Sequence, residues 1–155
     1  MGNDILIMLQ LLLAHVLTDF VFQNTKMVKH KRNYKGKSWY LYVHSLLAGV
    51  LTYIFLQDWD AFIIPIVITI THFVLDLWKL HQKKDNLKYF IIDQLLHLIV
   101  IVIAWLYLID GFSAVLPEIA AFFSSTTALA IVIGYVTVIF PVGFIIGKAT
   151  ERWQQ

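Results

Sequence analysis

The chain contains no cysteine, which excludes disulfides and thiolate metal ligands and leaves the redox compartment open. Charge is scarce as well. Only 14% of the 155 residues are charged, 59% are hydrophobic and the mean hydropathy is +0.74, whereas soluble domains carry about 25% charged residues. Too little charge remains to cover a water-facing surface, so a soluble enzyme or a nucleic-acid-binding module is excluded and an integral membrane protein is expected. No basic segment precedes the first apolar run and no small-residue cleavage site follows it, so that run is expected to stay as a span rather than leave as a signal peptide. No sequence repeat, low-complexity tract or soluble domain interrupts the pattern, so residues 1–155 read as a single transmembrane domain.

Apolar stretches long enough to cross a bilayer, at about 20 residues each, fall at 4 to 23, 39 to 57, 61 to 80, 88 to 109 and 127 to 148. The expected fold is an all-α bundle of five transmembrane helices. FSAVLPEIAAFFSSTT, interrupted by Pro117 and Glu118, is too short to span and reads as an interfacial or re-entrant piece before the fifth span. All twelve cations lie in the loop between spans 1 and 2, around the turn between spans 3 and 4, or after span 5. The opposite loops carry Asp4, Asp58, Asp60, Asp110 and Glu118 and no Lys or Arg. The positive-inside rule then puts the N-terminus outside and the C-terminus in the cytoplasm. The net charge of +2 follows from orientation and attraction to anionic lipid, with no nucleic-acid partner. Trp39, Trp59, Trp105 and Trp153 fall near span ends, where interfacial anchors belong. Span 5 has no ionisable side chain between Leu129 and Gly147, only Gly134, Pro141, Gly143 and Gly147, and reads as structural.

Against this background, ionisable residues inside the spans stand out. AHVLTDF puts His15 four residues before Asp19, THFVLD puts His72 four before Asp76, and DQLLH reverses the order with Asp93 four before His97. A polar residue at membrane depth costs on the order of 3 kcal/mol on insertion scales and usually faces a partner. A spacing of four keeps each pair on one helix face. With about 1.5 Å of rise per residue, Asp19 lies about 7 Å and His15 about 13 Å from the cytoplasmic end. Span 3 runs the same way, and span 4 runs back, which explains the reversed order. His44 of span 2 falls at the Asp level.

Three carboxylates gathered in a low-dielectric bundle repel one another, and neutral imidazoles do not compensate them. One or two divalent ions would. His15, Asp19, His44, His72, Asp76, Asp93 and His97 are the candidate ligands, and imidazole with carboxylate suits zinc first, with manganese or iron as alternatives. Taken singly, a membrane histidine is more often an interhelical hydrogen-bonding group than a ligand; seven such residues at two matched depths argue for a site. Gln23, Gln94 and Lys79 are candidate substrate contacts, although Lys79 also suits simple snorkelling to the interface. His30 and His81 fall in the basic loops and are expected to be solvated, and Thr18, Thr69 and Thr71 to bond their own helix backbone.

LLAHVLTDFVFQ, VHSLLAG, THFVLDLWK and DQLLHL, in this order, resemble the small bacterial integral-membrane family catalogued as domain of unknown function 3307, over nearly the whole chain. The resemblance rests on His15, Asp19, Phe20, Gln23, His44, His72, Asp76, Asp93, Gln94 and His97. It implies a multi-pass protein of the bacterial inner membrane and no settled activity. In style the chain is also similar to membrane-bound metal-dependent hydrolases.

Two function classes follow. The first is an intramembrane metal-dependent hydrolase that takes a lipid or lipid-like substrate from the cytoplasmic leaflet, with His44, Asp19 and Asp93 as catalytic candidates. The alternative is a divalent-metal or proton transporter or sensor using the same cluster. The outer halves LAGVLTYIFL, AFIIPIVI and IVIVIAWLYLI carry no polar path, which favours the enzyme, and Pro65 is the one hint of a hinge there. Membrane lipids are the expected partners, and a homo-oligomer is compatible with this reading.

Overall fold

Apolar runs of this length must satisfy their own backbone groups, and the helix is the solution within a single segment. The computed structural model describes residues 2–82 and 86–137, and every regular element among them is helical. Helix α1 spans Gly2–Val16 and continues into a π-helical turn at Leu17–Val21. The others are α2 (Thr25–Tyr34), α3 (Trp39–Leu56), α4 (Ile63–Leu80), α5 (Leu87–Leu108), α6 (Val115–Ser124) and α7 (Thr126–Thr137). Four helical stretches, Asp4–Val21, Trp39–Leu56, Ile63–Leu80 and Leu87–Leu108, are long and apolar enough to cross a membrane. Of the expected fifth span, α7 covers the beginning. Residues 138–155, with Pro141, Gly143, Gly147, Lys148, Arg152 and Trp153, lie outside the described residues, as do Lys83 and Lys84.

The chain divides into two compact units, Met1–Asp110 and Gly111–Gln155. In the first, α1 packs on α3 and α5, and α4 packs on the same two, so the four long helices close a ring. Its apolar core is Leu11, Ala48, Ile64, Ile68, Ile101 and Ala104, while large apolar side chains such as Leu9, Leu46, Ile70 and Leu95 face outward. A surface of that kind fits a membrane protein, because lipid rather than water is its cheapest neighbour. The contact between α3 and α4 is closest at Gly49, where a Cβ would fall 2.6 Å from the Pro65 carbonyl. Small residues at such crossings let membrane helices approach without a hydrophobic driving force between them. Pro65 itself is the third residue of α4. Its missing N–H would have no intrahelical partner there, so it begins the helix instead of hinging it.

The loops are anchored by their own side chains. Asn24 caps α2 by accepting from the Met27 amide, and Asn86 caps α5 by accepting from the Tyr89 amide. Thr18, Ser45, Thr52, Thr69 and Thr71 each donate to the carbonyl four residues back, which satisfies hydroxyls that have no water to bond. Trp105 donates to the Asp4 carbonyl at 2.7 Å and ties the end of α5 to the start of α1. In the second unit α6 and α7 meet at Ser125, whose hydroxyl accepts from the Ala128 amide. The segment expected to be interfacial or re-entrant is therefore helical over Val115–Ser124.

Candidate metal centre

The π-helical turn builds the first wall of the centre. Its extra residue is visible in the bond from the Phe22 amide to the Leu17 carbonyl, five residues apart, and such turns occur at functional sites more often than elsewhere. Asp19 sits within it and is buried. Across the ring, His44 of α3 and His72 of α4 bring their Nε2 atoms to 3.0 Å from each other. Both face Asp19 Oδ1, His72 at 3.2 Å and His44 at 3.3 Å. Asp76 Oδ2 lies 3.6 Å from the same His44 nitrogen.

Hydrogen bonding accounts for one edge of this triangle, between the two imidazoles. Asp19 Oδ1 is buried, and neither imidazole N–H is aligned to bond it. Ligand atoms 2.0–2.2 Å from a first-row ion stand about 3.3–3.6 Å apart in tetrahedral geometry and about 3 Å apart at right angles. The observed edges match one face of such a polyhedron. The donor set, two imidazole nitrogens and a carboxylate oxygen, suits zinc, manganese or iron by its hardness. Buried His and Asp groups of this centre could hold a metal ion in three combinations: His15 with Asp19 and His72, His44 with His72 and Asp76, and Asp19 with Asp93 and His97.

The other candidate residues surround the triangle. His15 Nδ1 stands 4.0 Å from Asp19 Oδ2, and its ring stacks on His97 at 5.3 Å. Gln94 bridges two carboxylates, donating to Asp19 Oδ2 at 3.2 Å and to Asp93 Oδ2 at 3.1 Å. Gln23 donates only to the Asp19 backbone carbonyl. His97 Nδ1 bonds the Asp93 carbonyl at 2.8 Å. A carbonyl can only accept, so this nitrogen carries the proton; in the neutral ring Nε2 then presents a lone pair, buried and without a partner among the described residues. His15, His72 and His97, with Thr52 and Thr71, line a cavity of about 20 Å³, room for one water molecule. Leu11, Ile68 and Ile101 close it on the apolar side. His44, expected both as a ligand and as a catalytic group, has its Nε2 within 3.6 Å of three candidate ligand atoms.

Sequence reasoning missed Lys31. It comes from α2, a strongly basic helix, yet is only 4% exposed, and its Nζ lies 2.6 Å from Asp76 Oδ2. Lys79 forms the matching pair with Asp93 Oδ2, also at 2.6 Å. Among the described residues three buried carboxylates thus meet two ammonium groups, and with neutral imidazoles the carboxylates exceed them by one. The electrostatic demand for a further cation is smaller than the bare carboxylates imply. No sequence signal separates Lys31 from the five other cations of its loop, apart from Met27 one turn earlier on the same helix face. His30, expected to be solvated, is half-buried, with Nδ1 2.7 Å from Ser38 Oγ and its ring between Tyr34 and Tyr40. His81 is exposed and bonds only the Leu77 carbonyl.

A helical protein with four helices able to cross a membrane, and with a buried His/Asp/Lys centre between them, is the class these features define. The chain belongs to the family described as protein of unknown function (DUF3307), which matches residues 7–138 and so contains the whole centre from His15 to His97. No curated protein and no solved structure matches the chain.

Proposed function

We propose that this protein is an intramembrane hydrolase dependent on one divalent metal ion, acting on a lipid or lipid-like substrate reached from the cytoplasmic leaflet. The observation that carries the reading is the triangle of Asp19 Oδ1, His44 Nε2 and His72 Nε2 with edges of 3.0 to 3.3 Å. Those three residues would hold the ion, with Asp76 at its side and Lys31 neutralising Asp76. Zinc suits the donor set best. A bound ion would polarise an ester or phosphoryl oxygen and bring the pKa of water to about 7. His97 has the properties of a general base, since its Nε2 lone pair is unpartnered and its ring borders the water-sized cavity. Asp93 orients His97 through its backbone carbonyl, and His15 stacks against the same ring. The N-terminus is proposed to lie outside, which puts the lysine-bearing end of the bundle, with α2, at the cytoplasmic face.

The same buried groups also suit a divalent-metal or proton transporter, because Lys31, Asp76, His44 and Asp19 form a chain with no step above 3.6 Å. The cavity that His72 shares with His15 and His97 has Leu11, Ile68 and Ile101 in its lining. That apolar closure favours the enzyme.

Elemental mass spectrometry of detergent-purified protein tests the metal directly. About one ion per chain is expected in the wild type, and less than a fifth of that in His72→Ala. Metal-loaded protein should then hydrolyse a component of a mixed bacterial lipid extract without any membrane gradient. A wild type free of metal when purified without chelator overturns the reading. Metal or proton uptake into sealed vesicles that tracks the His and Asp variants, with no lipid turned over, replaces it with the transporter.

A further inference from the structure

The charge of the buried centre specifies its second occupant. Among the described residues Asp19, Asp76 and Asp93 face Lys31 and Lys79, so with neutral imidazoles these side chains carry one negative charge. A divalent ion on Asp19, His44 and His72 turns that into one positive charge. An uncompensated buried charge is costly in a low-dielectric interior, so the loaded centre is incomplete until a single negative charge joins it. This inference rests on the metal reading above.

One side of the centre is more exposed than the other. Lys31 is enclosed, but the Lys79 side chain is 20% exposed and gives one of its three N–H groups to Asp93. Its Nζ sits over the Phe90 ring, 5.1 Å from the centroid. Phe90 in turn meets the exposed Phe20 of the π-helical turn edge-on at 6.4 Å. Gln94 lies between Asp19 and Asp93 at the same place, half-buried. Cationic and amide donors therefore adjoin two aromatic rings at the seam between α1 and α5. Polar donors beside apolar rings match a molecule that is anionic at one point and hydrocarbon immediately next to it.

The geometry points to a mono-anionic phosphodiester lipid as the ligand of this site, its phosphate between the metal position and Lys79 Nζ and its acyl portion against Phe20 and Phe90. A neutral glyceride leaves the charge uncompensated, and a dianionic phosphate monoester overshoots it by one. The substrate class of the proposed hydrolase narrows accordingly from any lipid ester to phosphodiester lipids.

The test uses the full chain in detergent, loaded with Mn²⁺, and three probes: dihexanoyl phosphatidylglycerol, dihexanoylglycerol and inorganic phosphate. Calorimetric titration should give phosphatidylglycerol an affinity at least tenfold higher for loaded than for chelator-treated protein. Lys79→Met should lower that affinity at least tenfold without lowering metal content, and Lys79→Arg should retain most of it. Because Lys79→Met leaves Asp93 buried and unpaired, the double variant Lys79→Met/Asp93→Asn provides a second measurement. It removes the pair together, keeps the net charge of the centre and should show the same loss. Equal affinity in wild type and double variant overturns the inference, as does equal affinity for dihexanoylglycerol. Inorganic phosphate binding as tightly as the lipid overturns the lipid assignment. Absence of metal, read separately by elemental analysis, overturns the preceding reading; a loaded protein that ignores the phosphodiester overturns only this one.

Discussion

Lys31→Met removes the most deeply buried cation of the centre with little change in side-chain volume. In the wild type the Lys31 ammonium lies 2.6 Å from Asp76 Oδ2, and both side chains are enclosed. Breaking a buried pair by removing one partner costs about 3–5 kcal/mol, because the other charge is left behind. Asp76 keeps His44 at 3.6 Å as a neighbour, which puts the expected loss at the lower end, about 3 kcal/mol. For a chain of this size each kcal/mol shifts the melting temperature by roughly 2–4 °C, so a fall of roughly 6–12 °C is expected. Thermal unfolding of detergent-purified protein, followed by tryptophan fluorescence in chelator, reads it. Removing both partners, in Lys31→Met/Asp76→Asn, should restore most of the loss, with a coupling of about 2 kcal/mol or more in the double-mutant cycle. Saturating divalent metal should shrink the single variant's deficit, since the ion gives Asp76 a second counter-charge. A single variant that melts within about 2 °C of wild type in chelator would refute the assignment of Lys31 as a buried counter-ion.

The two loop histidines should separate. His30→Ala loses a bond to Ser38 and two ring contacts and should cost about 1 kcal/mol with metal content unchanged, while His81→Ala should move neither thermal stability nor elemental analysis. Gly49→Ala drives a methyl group into Thr69 Oγ1 and to 2.6 Å from the Pro65 carbonyl. It should cost 1–3 kcal/mol or more on the overpacking scale, and adding Thr69→Ala should recover only part of that in a melting experiment, because the carbonyl cannot rotate away. Single cysteines placed from Asn24 to Ser38 should react with impermeant maleimide only after the inner face is opened, and reaction from outside would reverse the proposed orientation. Asp19→Asn, which keeps its shape but weakens its ligating oxygen, should reduce metal occupancy as much as His72→Ala does; full occupancy would move the ion to His44, His72 and Asp76, the candidate combination without Asp19.

Much of this molecule is legible from local pattern. Apolar runs of about 20 residues leave no economical backbone state but helix in lipid, so four long helices were readable from hydropathy alone. Spacings of four put His15 with Asp19, His72 with Asp76 and Asp93 with His97 on shared faces, and the reversed third pair follows from chain direction. The threonine hydroxyls bond their own helices as short-range geometry requires.

Relations between segments were not readable in this way. Nothing along the chain distinguishes Lys31 from Lys29 or Lys35, and only the docking of α2 on the bundle turns one of these surface-type cations into a counter-ion for Asp76, 45 residues away. The pairing of Lys79 with Asp93 depends equally on α4 lying beside α5. The π-helical turn that carries Asp19 has no reliable sequence signature. His44 looked free because no carboxylate lies near it in sequence, yet it meets two carboxylates in space. Helix formation, hydropathy and i to i+4 spacing are properties of one segment in its solvent, so the sequence by itself determined them. The charge balance of the centre is a sum over side chains from separate helices, and such sums exist only after the ring of helices has closed.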